Sequence, residues 1–465
     1  MKLILKISEK YFGSSVLLDV PFQLQNLKAE LLPAIETASR MKSIGLIREI
    51  KQHPKASDEP FAFRYTASPT IDGSGSDLLS EANAIWKTLG ESMERSLWRN
   101  SDDFYEKKTI NASFSEISQK ALDIFALAGF SDEQRGKYKS LAFNKNTKFG
   151  WLKVHSLATG SKIFCPVQLL SAHYWNKKVK TLECENKPEP MLRWAITTGL
   201  ATGQSFEEAV VKGILEIIER DAFMITYLNK LSPPEIELDN LAEHDKELKS
   251  VLRSFRRYNL EPHIFQLPSD FSVPIMLCLL IDRSGLGPAQ TVAASADFEI
   301  RTAILDSLSE ALSIRLATKL IYKRETDKKN IKREGRMIYW AAPERMPKID
   351  FLLKGKKTKL STATNRVFFR KNFSKKDRRK YFQTRLESLR KLFEAKKYEL
   401  VYADIMTKET KPLGLRSVFV LSPELQPMHL DESVPYVSGR RLKEIPEKFG
   451  YEPADELNKE PHPFP

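Results

Sequence analysis

The chain is poor in the residues that build many small catalytic and structural sites. Its 465 residues hold three cysteines, Cys165, Cys184 and Cys278, none of them in a CxxC pair. That speaks against a disulfide framework and a structural zinc site, and it fits a reducing cytoplasm. The seven histidines offer no HxxxH spacing; His155, His173 and His263 fall in strand-like or loop contexts and read as core or surface residues. A GxSxG elbow is absent, which leaves a serine nucleophile without support. So is a GxxxxGK(S/T) phosphate loop: Gly355-Lys356 lacks the upstream glycine, and the GSGS of Gly73 to Ser76 has no lysine after it. The N-terminal MKLILKISEKYFG is broken by Lys6 and Glu9, is too short to span a membrane, and lacks a small-residue cleavage site. It reads as a strand.

What remains is a globular composition. Apolar residues make up 42% and charged residues 29%, enough for a core in one large domain or in two to three smaller ones. Periodicity predicts a helix over Leu27 to Met41, a strand over Ile44 to Ile50, and a polar loop from His53 to Pro60. A helix is expected over Asn111 to Gly129, then a charged connection over Ser131 to Lys145. Trp151 to Val154 and Lys162 to Leu169 read as paired strands, and Asn176 to Pro190 as a charged loop. Beyond Pro233-Pro234, strands at Glu261 to Gln266, Pro274 to Ile281 and Thr291 to Ala296 precede helix to about Tyr322; Val418 to Leu421 is a late strand. The class is α+β (mixed α/β), with repeated amphipathic helices on mixed or antiparallel sheets. The expected organisation is a strand–helix region at 1–60, a core at 61–440, and a tail at 441–465.

The formal net charge of +14 is concentrated: Lys354 to Lys380 carries twelve Lys/Arg and one acid, Asp377. Phe368, Phe369 and Phe373 could stack on bases there, but no nucleic-acid motif accompanies them. A solvated face, or a dock for an acidic partner, is the preferred reading.

The chain is organised around Thr198 to Phe223, TGLATGQSFEEAVVKGILEIIERDAF. Gly199 and Gly203 punctuate a turn, Ser205 stands at a helix N-cap, and Glu208 completes a capping-box pattern. At about 100° per residue, Val210, Val211, Ile214, Leu215, Ile217 and Ile218 form one apolar arc. Gln204, Glu208, Lys212, Glu216 and Glu219 project from the other side. Carboxylates and an amide in one stripe suit divalent cations with hard oxygen ligands, although an acidic stripe alone is more often a solvated face.

Repetition favours the first reading. Ser80 to Leu97 aligns without a gap on this helix: Ala84 with Ala209, Lys87 with Lys212, Glu91 with Glu216, Glu94 with Glu219, Arg95 with Arg220. ExxER therefore occurs twice, and Phe298 to Leu316 carries an echo in Ala303 and Glu310, followed by Arg315. Like carboxylates brought to one place are costly without cations between them.

GLATGQSFEEAVVKGILEIIERDA resembles the signature of the YcaO superfamily of ATP-dependent peptide-backbone modifying enzymes. The first ExxER, the SLSEALSIRL of Ser307 to Leu316 and the terminal PHPFP fall in that family's order, over roughly residues 40 to 465. The resemblance implies Mg2+ ions between the carboxylates of the repeated helices and the triphosphate of ATP. Carried over by position, Glu91, Glu94, Glu208, Glu216 and Glu219 are the metal ligands. Gln204, Arg220 and Arg315 join them around the nucleotide, with Arg220 also catalytic. Arg95 either contacts phosphate or pairs with Glu91. Two departures stand out: GSG where the family commonly has GKG, and Thr197-Thr198 where it commonly has Ser-Asn. Lys42-Ser43 is a candidate for an early nucleotide contact.

The implied activity is a cytoplasmic, azoline-forming cyclodehydratase of ribosomal peptide biosynthesis, of the kind that makes bacteriocins and antibiotics. Its substrate is a precursor peptide. Its expected partners are a leader-binding protein resembling ubiquitin-activating enzymes and a flavin-dependent azoline dehydrogenase, with a homodimer left open and no membrane association. Thioamide formation within the family, and RNA binding through Lys354 to Lys380, are the rival readings. The ending PHPFP favours azoline over thioamide formation: alternating prolines stiffen the tail, and the same PxPxP ending marks azoline-forming members. The resemblance implies that Pro463 and the terminal carboxylate of Pro465 reach the reacting amide.

Overall fold

The computed structural model describes residues 29–53, 57–68, 73–99, 108–324, 333–360 and 375–464. Among these residues the strands form three sheets. The first sheet is antiparallel, β1 (Glu49–Gln52), β2 (Phe63–Ser68) and β3 (Gly73–Asp77). The GSGS segment read as a turn is thus a strand. Its glycines serve close approach: a Cβ on Gly73 would sit 2.0 Å from Ser92 Oγ, and one on Gly75 2.3 Å from the Ala84 carbonyl. Both neighbours lie on helix α2 (Glu81–Arg99), which the bare strand draws in tightly.

The second sheet runs β4 (Ile110–Ser113), β5 (Lys148–Ser156), β13 (Val401–Asp404), β14 (Arg416–Leu421), β7 (Leu200–Gly203), with β6 (Lys162–Pro166) also on β5. The third runs β11 (Gln290–Ala296), β10 (Ile275–Asp282), β9 (Leu260–Gln266), β8 (Glu235–Ile236), β12 (Lys357–Thr358). Strand β10 is buried along its whole length, and its side chains divide by parity. Leu277, Leu279 and Ile281 enter the core around helix α3 (Phe206–Leu228), while Met276, Cys278 and Leu280 face the core of α4 (Lys246–Arg257) and α5 (Ile300–Arg324). Val418 and Val420 of β14 join the α3 core and Phe419 and Leu421 the opposite one. Helix α3 is therefore sandwiched between two sheets, and all six residues of its predicted apolar arc are buried. The α+β class is as expected.

Several expectations shift. The strand expected at Ile44 to Ile50 begins only at Glu49, and the early helix, α1, covers Leu32–Ser43. The helix expected over Asn111 to Gly129 is mostly not one. Residues 110–113 pair with β5, Ala112 opposite Phe149, and only Phe114–Ile117 is α-helical. A Ser113–Glu116 capping box starts that turn, but the Asp123 side chain accepts the Phe125 amide and commits the chain to a local turn. The connection at 131–145 holds a short helix, Asp132–Lys137, capped by Ser131 and Gln134. The N-terminal strand expected at MKLILKISEKYFG and the three phenylalanines at 368, 369 and 373 lie outside the described residues. Among the described residues, no helix is long and apolar enough to cross a membrane.

After α5 come α6 (Arg333–Ala341), α7 (Lys375–Ala395) and α8 (Arg441–Lys448). Leu389 and Phe393 of α7, Leu442 and Ile445 of α8 and the tail residue Phe464 all enter the core around α3. One buried ion network ties this end down. Asp221 of α3 receives a two-bond fork from Arg441, at 2.8 and 2.7 Å, and the Gln426 amide at 2.8 Å, while Arg441 also reaches Asp270.

Candidate active site

Helices α2, α3 and α5 converge with their acidic stripes facing one recess. Four carboxylates are aimed by the same device, a backbone amide at a strand or strand end taking one oxygen. Ser74 N donates to Glu91, Thr202 N to Glu94 at 2.6 Å, Gly199 N to Glu216 at 3.0 Å, and Ala296 N to Glu219 at 3.1 Å. Gly199 can do this because it holds φ at +91°, where a Cβ would strike the Val420 carbonyl. Arg220 lies 3.3 Å from Glu219 and 3.9 Å from Glu216. Arg95 pairs with Glu91 at 2.5 Å, the structural alternative named for it above.

Charge is crowded here. Burial, with Glu216 and Glu91 adding repulsion, pushes the Glu94 carboxyl up to about 8. Burial also pushes Glu219 up to about 8: Arg220 opposes the shift, and Glu310 and Glu216 reinforce it. Glu216 and Glu310 are raised too, burial being the main cause in each. Glu310 of α5 is thus a member of the cluster that the ligand set from the sequence omitted in favour of Arg315. The signal was present, since Glu310 follows Ala303 by the same seven residues that separate Ala84 from Glu91 and Ala209 from Glu216.

Arg315 goes elsewhere. Its side chain, 1% exposed, binds Asp282 at 2.8 Å, Glu59 at 3.3 Å and Asp58 at 3.5 Å, so its charge is already met by three acids. Glu208 is also engaged. Its side chain is 1% exposed and takes a fork from Arg378 at 2.8 and 2.7 Å, Lys212 at 2.9 Å, and the Gln204 amide at 3.2 Å. The capping box is therefore half made: Ser205 Oγ accepts the Glu208 amide, while the Glu208 carboxylate turns to Gln204 and the two cations. Burial would raise this carboxyl, but Lys212 and Arg378 outweigh it and hold it down at about 2. Lys42 and Ser43 stand at the exposed end of α1.

The tail runs along α3 to the same place. The Asn458 amide donates to the Leu228 carbonyl at 2.7 Å, and the Pro461 carbonyl accepts from Tyr227 Oη at 2.9 Å and Trp340 Nε1 at 2.8 Å. His462, fully buried, donates from Nε2 to the His429 carbonyl at 2.7 Å. Phe464 lies against Phe223, ring centroids 4.1 Å apart, and over the Arg220 guanidinium at 4.4 Å. Pro463 is buried, and Pro465 lies outside the described residues. His429, Glu432 and His462 bring three ligand atoms within 4.8 Å, but Arg336 sits 2.8 Å from Glu432. A fixed guanidinium at that distance opposes a metal, and the trio reads as a hydrogen-bonded latch for the tail.

Residues 77–426 match the family model described as YcaO cyclodehydratase, ATP- and Mg2+-binding. The chain belongs to the YcaO family. Solved structures similar to this YcaO chain include a heterocyclase in complex with substrate and cofactor, TM-score 0.71 at 19% identity, over 93% of this chain and 57% of that one. YcaO from Methanopyrus kandleri bound with AMPPCP and Mg2+ aligns at TM-score 0.58 and 16% identity, covering 89% and 94%. A chain of the E. coli microcin synthetase McbBCD complex aligns at 0.55 and 15%, covering 81% and 88%. An uncharacterized protein of Methanothermobacter thermautotrophicus is 26% identical over 258 residues, 53% of this chain and 59% of its own. This YcaO chain thus spans less than two thirds of that relative and of the heterocyclase.

ATP and Mg2+ are the cofactors of this YcaO protein. The recess fits them. Its donors are carboxylate oxygens, the hard ligands Mg2+ takes, each aimed by an amide that leaves its second oxygen for other partners. Arg220 is held among these carboxylates by ion pairs at 3.3 and 3.9 Å, a guanidinium suited to phosphate oxygens.

Proposed function

We propose that this YcaO enzyme is an ATP-dependent cyclodehydratase that converts Cys, Ser or Thr of a precursor peptide to thiazoline or oxazoline. One observation carries the reading: the PxPxP tail docks with Phe464 on Arg220, so the carboxylate cluster and the chain end share one residue. In the reaction the side chain thiol or hydroxyl gives up its proton to a base and adds to the preceding carbonyl carbon, whose oxygen takes the π electrons. The former amide oxygen then attacks the γ-phosphorus, and the bond to ADP breaks. Phosphate leaves with that oxygen as the C=N bond forms and the nitrogen gives up its proton. An amide oxygen is a poor leaving group until it is phosphorylated, which is why ATP is needed.

Glu91, Glu94, Glu216, Glu219 and Glu310 would hold Mg2+, which supplies charge neutralisation to the triphosphate. Arg220, poised between Glu216 and Glu219, would contact phosphate, and burial in the recess strengthens that attraction. Pro463 and Pro465 of the tail would orient the substrate amide beside the cluster. Peptide recognition is assigned to a separate leader-binding protein. The test is incubation of purified chain with precursor, partner, ATP and Mg2+. Loss of about one water's mass per heterocycle, in step with phosphate release, supports the reading; phosphate release without mass loss sinks it.

A further inference from the structure

We propose that Arg378 is a ligand of the nucleotide's β- or γ-phosphate, and that its fork on Glu208 is its resting position. This rests on the reading of the recess as the ATP site and adds a residue to it from the basic segment.

Four features separate Arg378 from an ordinary structural arginine. First, Glu208 does not need it for charge balance, because Lys212 already stands 2.9 Å away. Second, α7 does not need it to dock: Arg379 and Gln383 bind Glu207 at 3.1 and 3.2 Å, and Leu389 and Phe393 enter the core. Third, its side chain is 36% exposed, whereas Arg441 and Arg315, which serve buried networks, are sealed at 0% and 1%. Fourth, it stands at the edge of the carboxylate cluster. Thr202 donates its amide to Glu94 and accepts Lys212 Nζ on its carbonyl at 3.2 Å, so one residue links the Glu208 corner to the cluster.

The chemistry of the corner suits phosphate. Arg378 meets Glu208 at the N-terminal turn of a 23-residue helix, where the helix field favours anions. A guanidinium fork fits two phosphate oxygens as well as two carboxylate oxygens. The Phe382 ring lies 5.6 Å from the guanidinium. A triphosphate entering beside several glutamates needs arginine and lysine as well as metal, and Lys212 keeps a counter-charge on Glu208 when Arg378 turns to phosphate.

The test is calorimetric titration of the full chain with ATP and with AMP, at fixed Mg2+, for wild type, Arg378→Ala, Arg378→Lys and Arg379→Ala. Expected is at least a 10-fold weaker ATP affinity for Arg378→Ala, a smaller loss for Arg378→Lys, and AMP affinity changed less than about 3-fold in either (one charged hydrogen-bonded contact is worth roughly this). Arg379→Ala should match wild type for both ligands. Unchanged or tighter ATP binding by Arg378→Ala, or equal losses for ATP and AMP, overturns the proposal. If Arg378→Ala does not fold, wild-type ATP affinity in Arg378→Lys overturns it, since a phosphate fork is not met by one ammonium. Absence of Mg2+-dependent ATP binding by wild type overturns the ATP-site reading and this inference together.

Discussion

The ring of Phe464 lies over the guanidinium of Arg220, 4.4 Å from centroid to carbon, and 4.1 Å from the Phe223 ring. The second-last residue of the chain thereby buttresses the arginine of the central ExxER. A contact of this kind is worth about 0.5–2 kcal/mol. Phe464→Ala should slow cyclisation by about 3- to 30-fold or more, while ATP affinity stays near wild type because the carboxylates are untouched. Paired rate and binding measurements check this; equal loss of both would mean that Phe464 merely supports the fold.

A second expectation concerns the carboxylates. Glu216→Gln and Glu219→Gln should each abolish ATP turnover while leaving the thermal midpoint unchanged or raised. Each removes a ligand but also removes repulsion within a cluster where burial and neighbouring carboxylates raise the carboxyl pKa values. On a merely solvated face the same changes would be nearly silent, within about 0.5 kcal/mol. Steady-state ATPase assays and melting curves on the same preparations separate the cases.

Asp221 directly follows Arg220 and does the opposite job. It is fully buried under Arg441, so Asp221→Asn leaves a guanidinium without its main counter-charge. The expected loss is about 3–5 kcal/mol of stability, read from urea unfolding. A variant as stable as wild type would show that Asp270 alone suffices for Arg441.

Much of this site could be read from the chain because helices repeat in register. ExxER at Glu91 and Glu216, with the seven-residue echo at Glu310, places carboxylates on equivalent helical faces, and the fold brings those faces together. What could not be read depends on partners distant in sequence. Nothing near Glu208 announces Arg378, 170 residues later, and nothing near Arg315 announces Glu59 and Asp58. GSGS looked like a turn because glycine serves turns and close packing alike, and only the position of Ser92 and Ala84 decides between them. The helix expected over Asn111 to Gly129 failed for a related reason: pairing with β5 outweighed local propensity.

The tail should respond to acid. Burial, with Arg336 nearby, holds the His462 imidazole neutral, its pKa well below the usual value. The unfolded or undocked ring binds protons more readily, so the stability this residue contributes is complete above about pH 6.5 and is lost as pH falls. Carboxypeptidase digestion of the C-terminus should therefore accelerate below about pH 6. His462→Gln should flatten that dependence; an unchanged pH profile in the variant would assign the effect to another group.

The most direct test of the chemistry follows a single oxygen. A precursor peptide carrying 18O in the carbonyl that precedes the reacting Cys, Ser or Thr is converted with ATP and Mg2+ in unlabelled water. If the amide oxygen is phosphorylated and expelled, each heterocycle formed places one 18O in inorganic phosphate. Label retained in the peptide, or found in water with unlabelled phosphate, would contradict the account.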